Sequence, residues 1–281
     1  MPFSLHSHSG QFCHHAKDTL ESMVQTAISR RMRVYALTEH MPRDQIEDLY
    51  PEEVHDPPPP PPPPPPYISH PLTPPPQISE QATPFDLFKT FALYYDTALI
   101  LRGRYAPQIQ LLVGFEAEYI RPSSIEIVRD LQQIYKFDFF VGSVHHVNTI
   151  PIDFDRDSYE RALATCGDEE RLFEMYFEHQ YEMLTQLRPA VVAHFDLIRL
   201  MARDPTRGVR EYGEAVWAKA MRNLEFIKSY NGLVELNSSS LRKGLKTPYP
   251  GPDICFVRPP PPLPPPLSCI SPLMREGVHL H

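Results

Sequence analysis

The 281-residue chain is 42% hydrophobic and carries a formal net charge of -8. That acidic balance argues against a nucleic-acid partner, which a basic surface would attract, and no apolar run approaches the ~20 residues that cross a bilayer. Four cysteines (Cys13, Cys166, Cys255, Cys269) form no C-x-x-C pair, and the N-terminus runs into a strand pattern with no signal peptide, so a reduced, cytoplasmic protein is expected.

In chain order the pattern alternates strands and helices within the length of one large α/β domain. Phe3 to His6 reads as a short strand. Thr19 to Arg31 reads as a helix with Leu20, Met23, Val24, Ala27 and Ile28 on one face. A second strand covers Arg33 to Leu37. Thr83 and Pro84 suit a cap and first turn, opening a helix that runs to about Arg104. Gln110 to Glu118 is a third strand, Ser124 to Tyr135 a helix, and Phe137 to Val144 a fourth strand that leads through a loop to a long helix, Glu169 to Leu187. Val191 to Phe195, the helix Glu211 to Tyr230 and the strand Leu233 to Leu236 complete the alternation, which implies parallel βαβ units.

Five of these apolar runs end in a histidine or a carboxylate: His6-Ser7-His8, Glu39-His40, Glu116, His145 and His194. A lone histidine after a strand is usually an ordinary half-buried residue, and His55, His70, His146 and His179 are read that way. The recurrence at five strand ends is different. In α/β folds the carboxyl ends of the strands form one rim, where active sites lie. Imidazoles and a carboxylate gathered there point to a multinuclear metal hydrolase.

Two segments break the alternation. His55 to Gln81 contains ten consecutive prolines, Pro57 to Pro66, and a second proline-rich run extends from about Arg258 to Pro272. Proline has no amide donor and a fixed φ, so such runs stay out of a sheet and form exposed polyproline II rods. They read as a low-complexity insertion or gene-model artefact, or as docking sites for SH3- or WW-type grooves, the second run having a basic residue beside its prolines.

The motifs taken together resemble the PHP (polymerase and histidinol phosphatase) superfamily, in its histidinol-phosphatase branch. The resemblance rests on His6-Ser7-His8-Ser9-Gly10, Phe12-Cys13-His14-His15-Ala16, Leu37-Thr38-Glu39-His40-Met41-Pro42-Arg43, Val113-Gly114-Phe115-Glu116-Ala117-Glu118-Tyr119, Phe137-Asp138-Phe139-Phe140-Val141-Gly142-Ser143-Val144-His145, Ala193-His194-Phe195-Asp196-Leu197, Glu235-Leu236-Asn237-Ser238 and Leu241-Arg242-Lys243-Gly244. Leu49-Tyr50-Pro51-Glu52-Glu53 and Ile150-Pro151-Ile152-Asp153-Phe154-Asp155 are similar to the fungal members in particular.

This resemblance implies a distorted (β/α)7 barrel with two or three divalent metals (Zn, Mn or Fe), held by His6, His8, His15, His40, Glu116, His145 and His194. It places Glu39 behind the ligands and Asp196 as a partner orienting His194, and makes Arg242, Lys243 and Asn237 candidates for holding substrate. The implied reaction is hydrolysis of L-histidinol phosphate, a small-molecule phosphate ester, in histidine biosynthesis. The implied domain spans residues 1–256, with 55–82 as a proline-rich inserted loop and 257–281 as a divergent tail. The family's closing Asp-x-His motif does not follow Tyr249-Pro250 here. The expectation is therefore a barrel lacking its last βα unit, with an impaired remnant or mispredicted gene product, whose polyproline segments bind partner domains, as the alternative.

Overall fold

The computed structural model describes residues 3–13, 16–50 and 83–256. The proline-rich insertion at 55–82, the tail at 257–281 with the expected loss of the last βα unit, and His15 all lie outside the described residues.

The fold is α/β, with parallel sheets covered by helices. One sheet has the order β1 (Phe3–Ser4), β2 (Val34–Leu37), β3 (Gln110–Val113), all parallel. The second has the order β4 (Glu116–Glu118), β5 (Val141–Ser143), β8 (Val191–Val192), β9 (Leu233–Val234), also parallel. The two are stitched together where β2 passes from β3 to β4. The Gly114 amide donates to Leu37, the Glu116 amide to Glu39 and the Met41 amide to Glu116, and His40 bridges to Glu116 in parallel register. What reads in the sequence as one strand, Gln110 to Glu118, is thus two, broken at Gly114-Phe115. A side chain at Gly114 would meet the Phe139 carbonyl at 2.6 Å, so only glycine lets the chain cross there.

The helices form where local rules place them. Helix α1 (Leu20–Ser29) is capped by Thr19, whose hydroxyl accepts from the Ser22 amide at 3.2 Å, and it buries Leu20, Val24 and Ala27. Helix α2 (Pro84–Tyr105) opens with Pro84 in its first turn and a Thr83–Asp86 capping box, then buries Phe91, Tyr94, Ala98 and Leu101. The Tyr94 hydroxyl lies 2.6 Å from the carbonyls of both Leu37 and Gly114, anchoring α2 where the first sheet gives way to the second. With α3 (Pro122–Ile134) these helices close one apolar core over β2 and β3.

A second core lies under α4 (Arg156–Cys166), α5 (Glu169–Leu187) and α6 (Glu214–Ser229). Phe173, Tyr176, Phe177 and Leu184 of α5 are fully buried there with Phe195, Val216 and Ala220. Each of the larger apolar side chains contributes about 1.5–3 kcal/mol, so this packing supports a rim crowded with polar groups. No helix among the described residues is long and apolar enough to cross a membrane.

The loop expected after the fourth strand contains an antiparallel hairpin, β6 (His146–Val147) and β7 (Ile150–Pro151), followed by α4. Its turn residues, Asn148 and Thr149, both have positive φ, 50° and 65°. This conformation suits asparagine and is costly for β-branched threonine. The hairpin sends the chain back so that the Ile152 amide donates to the His145 carbonyl, which sets Asp153 beside the His145 ring. Two short helices, α7 (Ser239–Arg242) and α8 (Pro252–Cys255), end the described chain.

Candidate metal centre

Because the strands are parallel, their carboxyl ends share one rim, and the residues just beyond them converge. Glu116, the first residue of β4, is completely buried at the centre. Its Oε2 lies 3.2 Å from His6 Nε2, 3.0 Å from His8 Nε2 and 3.1 Å from His40 Nδ1. Its Oε1 lies 3.3 Å from His145 Nε2 and 3.1 Å from His194 Nε2. One carboxylate therefore faces two sets of imidazoles, one with each oxygen.

The two sides of Glu116 differ: His145 and His194 lie within hydrogen-bond reach of Oε1. Glu116 Oε2 has no well-directed hydrogen-bond partner despite three ring nitrogens near 3 Å, and His6 Nε2 faces His8 Nε2 at 2.9 Å. Five imidazoles converging on one buried carboxylate, with two of the rings nitrogen to nitrogen, is the arrangement of a cation site. The groups His6–His8–Glu116 and Glu116–His145–His194 each bring their ligand atoms within 4.8 Å of one another. The donor set, imidazole and carboxylate, suits Zn, Mn or Fe.

Behind the imidazoles stands a row of carboxylates. Glu235, next after β9, reaches His6 Nδ1 at 3.1 Å, and Asp153 reaches His145 Nδ1 at 3.1 Å. Glu39 Oε2 is 3.6 Å from His8 Nδ1, its other oxygen accepting from the Ser9 amide and hydroxyl at 2.7 and 2.6 Å. Glu118, two residues along β4 from Glu116, touches His40 Nδ1 and is gripped by buried Arg43, whose Nη2 donates at 2.9 Å. At His6, His8 and His145 the carboxylate sits on the nitrogen turned away from Glu116, where it fixes the ring's orientation and raises its basicity as a ligand, whereas Glu118 shares with Glu116 the same Nδ1 of His40.

The electrostatics follow. For His6, burial opposes protonation, but Glu116 and Glu235 overcome it and push the pKa up to about 10. Burial is likewise overcome at His8 by Glu116 and Glu39, and at His145 by Asp153 and Glu116, so both are raised. Glu116 and Glu118 sit well below the usual carboxylate range: burial would raise them, but His6 and His40 hold down the first, and Arg43 and His40 the second. Glu235 is lowered to about 2, His6 outweighing burial. His194 goes the other way, lowered chiefly by burial. A pocket that stabilises positive charge on its imidazoles is one in which divalent cations can displace those protons.

A PHP domain model matches residues 4–239 of the chain. The chain is 45% identical over 251 residues to a probable histidinol-phosphatase of Schizosaccharomyces pombe, covering 89% of this chain and 74% of that protein. It is 34% identical over 279 residues to the histidinol-phosphatase of Saccharomyces cerevisiae, covering 90% and 77%. The chain belongs to the PHP domain family. Its fold is shared with the solved "putative histidinol phosphatase hisK" of Listeria monocytogenes, at a TM-score of 0.68 and 20% identity over 90% of this chain and 89% of that one. It also resembles histidinol phosphate phosphatase of Lactococcus lactis subsp. lactis, solved with Zn, L-histidinol and phosphate, at a TM-score of 0.55 and 16% identity over 84% and 72%.

Within this PHP domain, six of the seven expected ligands (His6, His8, His40, Glu116, His145 and His194) come together, and the seventh, His15, is outside the described residues. Glu39 lies behind His8, 3.6 Å from its Nδ1. Asp196 requires a correction: it does not orient His194. Its Oδ2 accepts from Arg199 Nε at 2.7 Å and from the Gly251 amide at 2.8 Å, so it ties the end of β8 to the last described segment. Strand alternation would have put residues 194 and 196 on one face. However, β8 ends at Val192, His194 turns to φ 22° and a 3-10 turn, Leu197–Met201, follows at once.

Of the substrate candidates, Lys243 places its Nζ 3.9 Å from Asp153 with its side chain half exposed, beside the cluster. Arg242 is exposed. The Asn237 side chain is already engaged, donating to Glu235 at 3.0 Å and accepting from the Ser239 amide at 2.8 Å.

Glu235, Asp153, Glu118 and Arg43 have no role that sequence reasoning assigns. Glu235 carries the same signature as the other sites, an apolar run ending in a charged group. Glu118 shares a strand face with Glu116 through the period of two. Asp153 carries no local signal, because the hairpin delivers it.

Proposed function

We propose that this chain is a metal-dependent phosphomonoesterase that hydrolyses L-histidinol phosphate to L-histidinol and phosphate, a step of histidine biosynthesis. The observation that carries the reading is Glu116, whose two oxygens each face a separate group of imidazoles. A carboxylate so placed would serve both groups of ligands, should each hold a cation. The identity of the curated relatives, both named for histidinol-phosphatase, supports the substrate.

The ligands in this reading are His6, His8, His15, His40, Glu116, His145 and His194, holding two or three ions of Zn, Mn or Fe. When bound, such ions supply Lewis-acid activation of water and neutralise charge on the phosphoryl oxygens. The protein's own groups do the rest. Glu235 and Asp153 hold the rings of His6 and His145 by their outer nitrogens, and Glu118, locked by Arg43, holds His40. The cluster is thereby ordered before substrate arrives, which spares reorganisation in the transition state. Lys243 meets the phosphate dianion at the rim and Arg242 screens it from further out. Asn237 acts through Glu235, holding that carboxylate against His6.

In the same reading residues 1–256 form one catalytic domain. Its thiols Cys166 and Cys255 suit a reducing, cytoplasmic compartment. The proline runs have the composition that SH3- or WW-type domains bind.

The test is release of phosphate from L-histidinol phosphate by the purified chain supplied with Zn or Mn, with metal content measured on the same sample. Turnover that chelation removes, with at least two ions per chain, is the expected result. A folded, metal-loaded sample that leaves the ester intact would overturn the assignment.

A further inference from the structure

Cys13 is buried, 6% exposed, yet it belongs to none of the apolar clusters among the described residues. Its sulfur is placed elsewhere. Cys13 Sγ and one ring nitrogen each of His8 and His40 all lie within 4.8 Å of one another. The two rings stack in parallel, centroids 4.1 Å apart at 9°, so their edges present nitrogens side by side to the same space. A tetrahedral ion with Zn–S near 2.3 Å and Zn–N near 2.0–2.1 Å needs donor atoms roughly 3.5 Å apart, a closure of about 1 Å.

The loop that carries Cys13 is built to keep it there. Ser9, at its start, is held by Glu39 through both its amide and its hydroxyl. The Gly10 amide donates to the Asp18 carbonyl at 2.7 Å, and a side chain at Gly10 would collide with the Ala16 backbone at 2.7 Å. The Cys13 amide donates to Ser9 at 3.0 Å, and its carbonyl accepts from the Ala16 amide at 3.2 Å. Gln11 Oε1 accepts from the Leu20 amide at 3.2 Å, which fastens the loop to the first turn of α1.

We propose that Cys13 is a thiolate ligand, completing with His8 and His40 a cation position distinct in chemistry from the imidazole–carboxylate positions around Glu116. On binding, the Cys13 S–H bond gives up its proton to solvent as the sulfur–metal bond forms. A sulfur donor makes this the softest position of the cluster, one that favours Zn, Co or Cd over Mn. The inference rests on the metal-centre reading above and extends it to a residue that reading does not use.

The experiment loads the full chain with cobalt(II), counts cobalt per chain and records the near-ultraviolet absorption. A sulfur-to-cobalt charge-transfer band is expected in the unaltered protein. It should persist in a Cys166→Ser/Cys255→Ser/Cys269→Ser variant, where Cys13 is the only thiol left, and disappear in Cys13→Ala. Cobalt bound stoichiometrically with no such band, or a band lost with the other three cysteines, overturns the Cys13 assignment and leaves the Glu116 cluster standing. Failure to bind cobalt at all would overturn both. Because the unaltered chain and the triple variant already decide the question, misfolding of Cys13→Ala would not rescue it.

Discussion

His145 and His146 are consecutive in the chain and both are buried, but their protonation is pushed in opposite directions. Burial opposes charge at each. At His145, Asp153 at 3.1 Å and Glu116 at 3.3 Å overcome it, and the pKa is raised well above the ordinary histidine value. At His146 burial prevails, the pKa falls to about 3, and the ring's Nδ1 has no hydrogen-bond partner. His179, in the middle of α5, behaves like His146, lowered chiefly by burial. The difference lies in the carboxylates that the fold brings to each ring, and it separates a histidine built to hold a cation from one that fills space.

The largest effect expected from this contrast is on activity. His145→Ala removes a cluster nitrogen and leaves Asp153 and Glu116 facing each other's charge. The loss in kcat/KM should exceed the ~10–100-fold that follows from disturbing a ligand's supporting residue alone. His146→Leu replaces a ring with an unpartnered nitrogen by an apolar group of similar size, a change that is often neutral or stabilising. Its unfolding free energy should stay within about 1 kcal/mol of the parent, and its kcat/KM within a few-fold. Phosphate-release kinetics and urea unfolding on the two variants measure both quantities. Equal losses of activity would abolish the distinction.

A sharper version keeps His145 and changes only its partner. Asp153→Asn retains an oxygen for the ring's outer N–H but removes the charge that raises the ring's basicity. Metal affinity should fall by about 10–100-fold with the ions' number per chain unchanged at saturation. Chelator competition reads the affinity. An unaltered affinity would mean that Asp153 is there for Lys243, 3.9 Å away, and not for the imidazole.

The same contrast explains which parts of this molecule are legible in its sequence. Val34–Leu37, Val141–Ser143 and Val191–Val192 announce themselves as apolar runs, and a strand's carboxyl end sits at the rim whatever the rest of the chain does. The residues at those ends, His40, Glu116, His145 and His194, can therefore be grouped from the amino-acid order alone. Helix ends with local caps, Thr19 and Thr83–Asp86, are legible for the same reason. What cannot be read is anything depending on how the chain returns. Asp153 reaches His145 only because a hairpin with two residues at positive φ reverses the chain. Asp196 leaves His194 because a turn replaces the strand, handing its carboxylate to Arg199. The break at Gly114 follows from the approach of Phe139, a residue of the next strand's lead-in. Ligands are local facts of strand ends, whereas the carboxylates that support them are tertiary facts.

The smallest effect expected is on acid stability, and its sign is fixed by the core histidines. In the unfolded chain histidine takes up a proton near its ordinary value of about 6.5. In the folded protein His146 resists until about pH 3, and His179 is lowered as well. Between those limits the unfolded state binds more protons than the folded one, so stability falls as pH drops below about 6.5. The loss grows until the pH reaches the folded-state values. In His146→Leu one of these protons is gone, so the urea midpoint should fall less steeply from pH 6.5 to 4.5 than in the parent protein. Proton–metal competition at the rim also weakens the fold in acid, but it is common to both proteins and cancels in the difference between their slopes. Identical slopes would show that His146 takes up its proton in the folded state too, and that Glu118, whose attraction opposes burial at this ring, governs it after all.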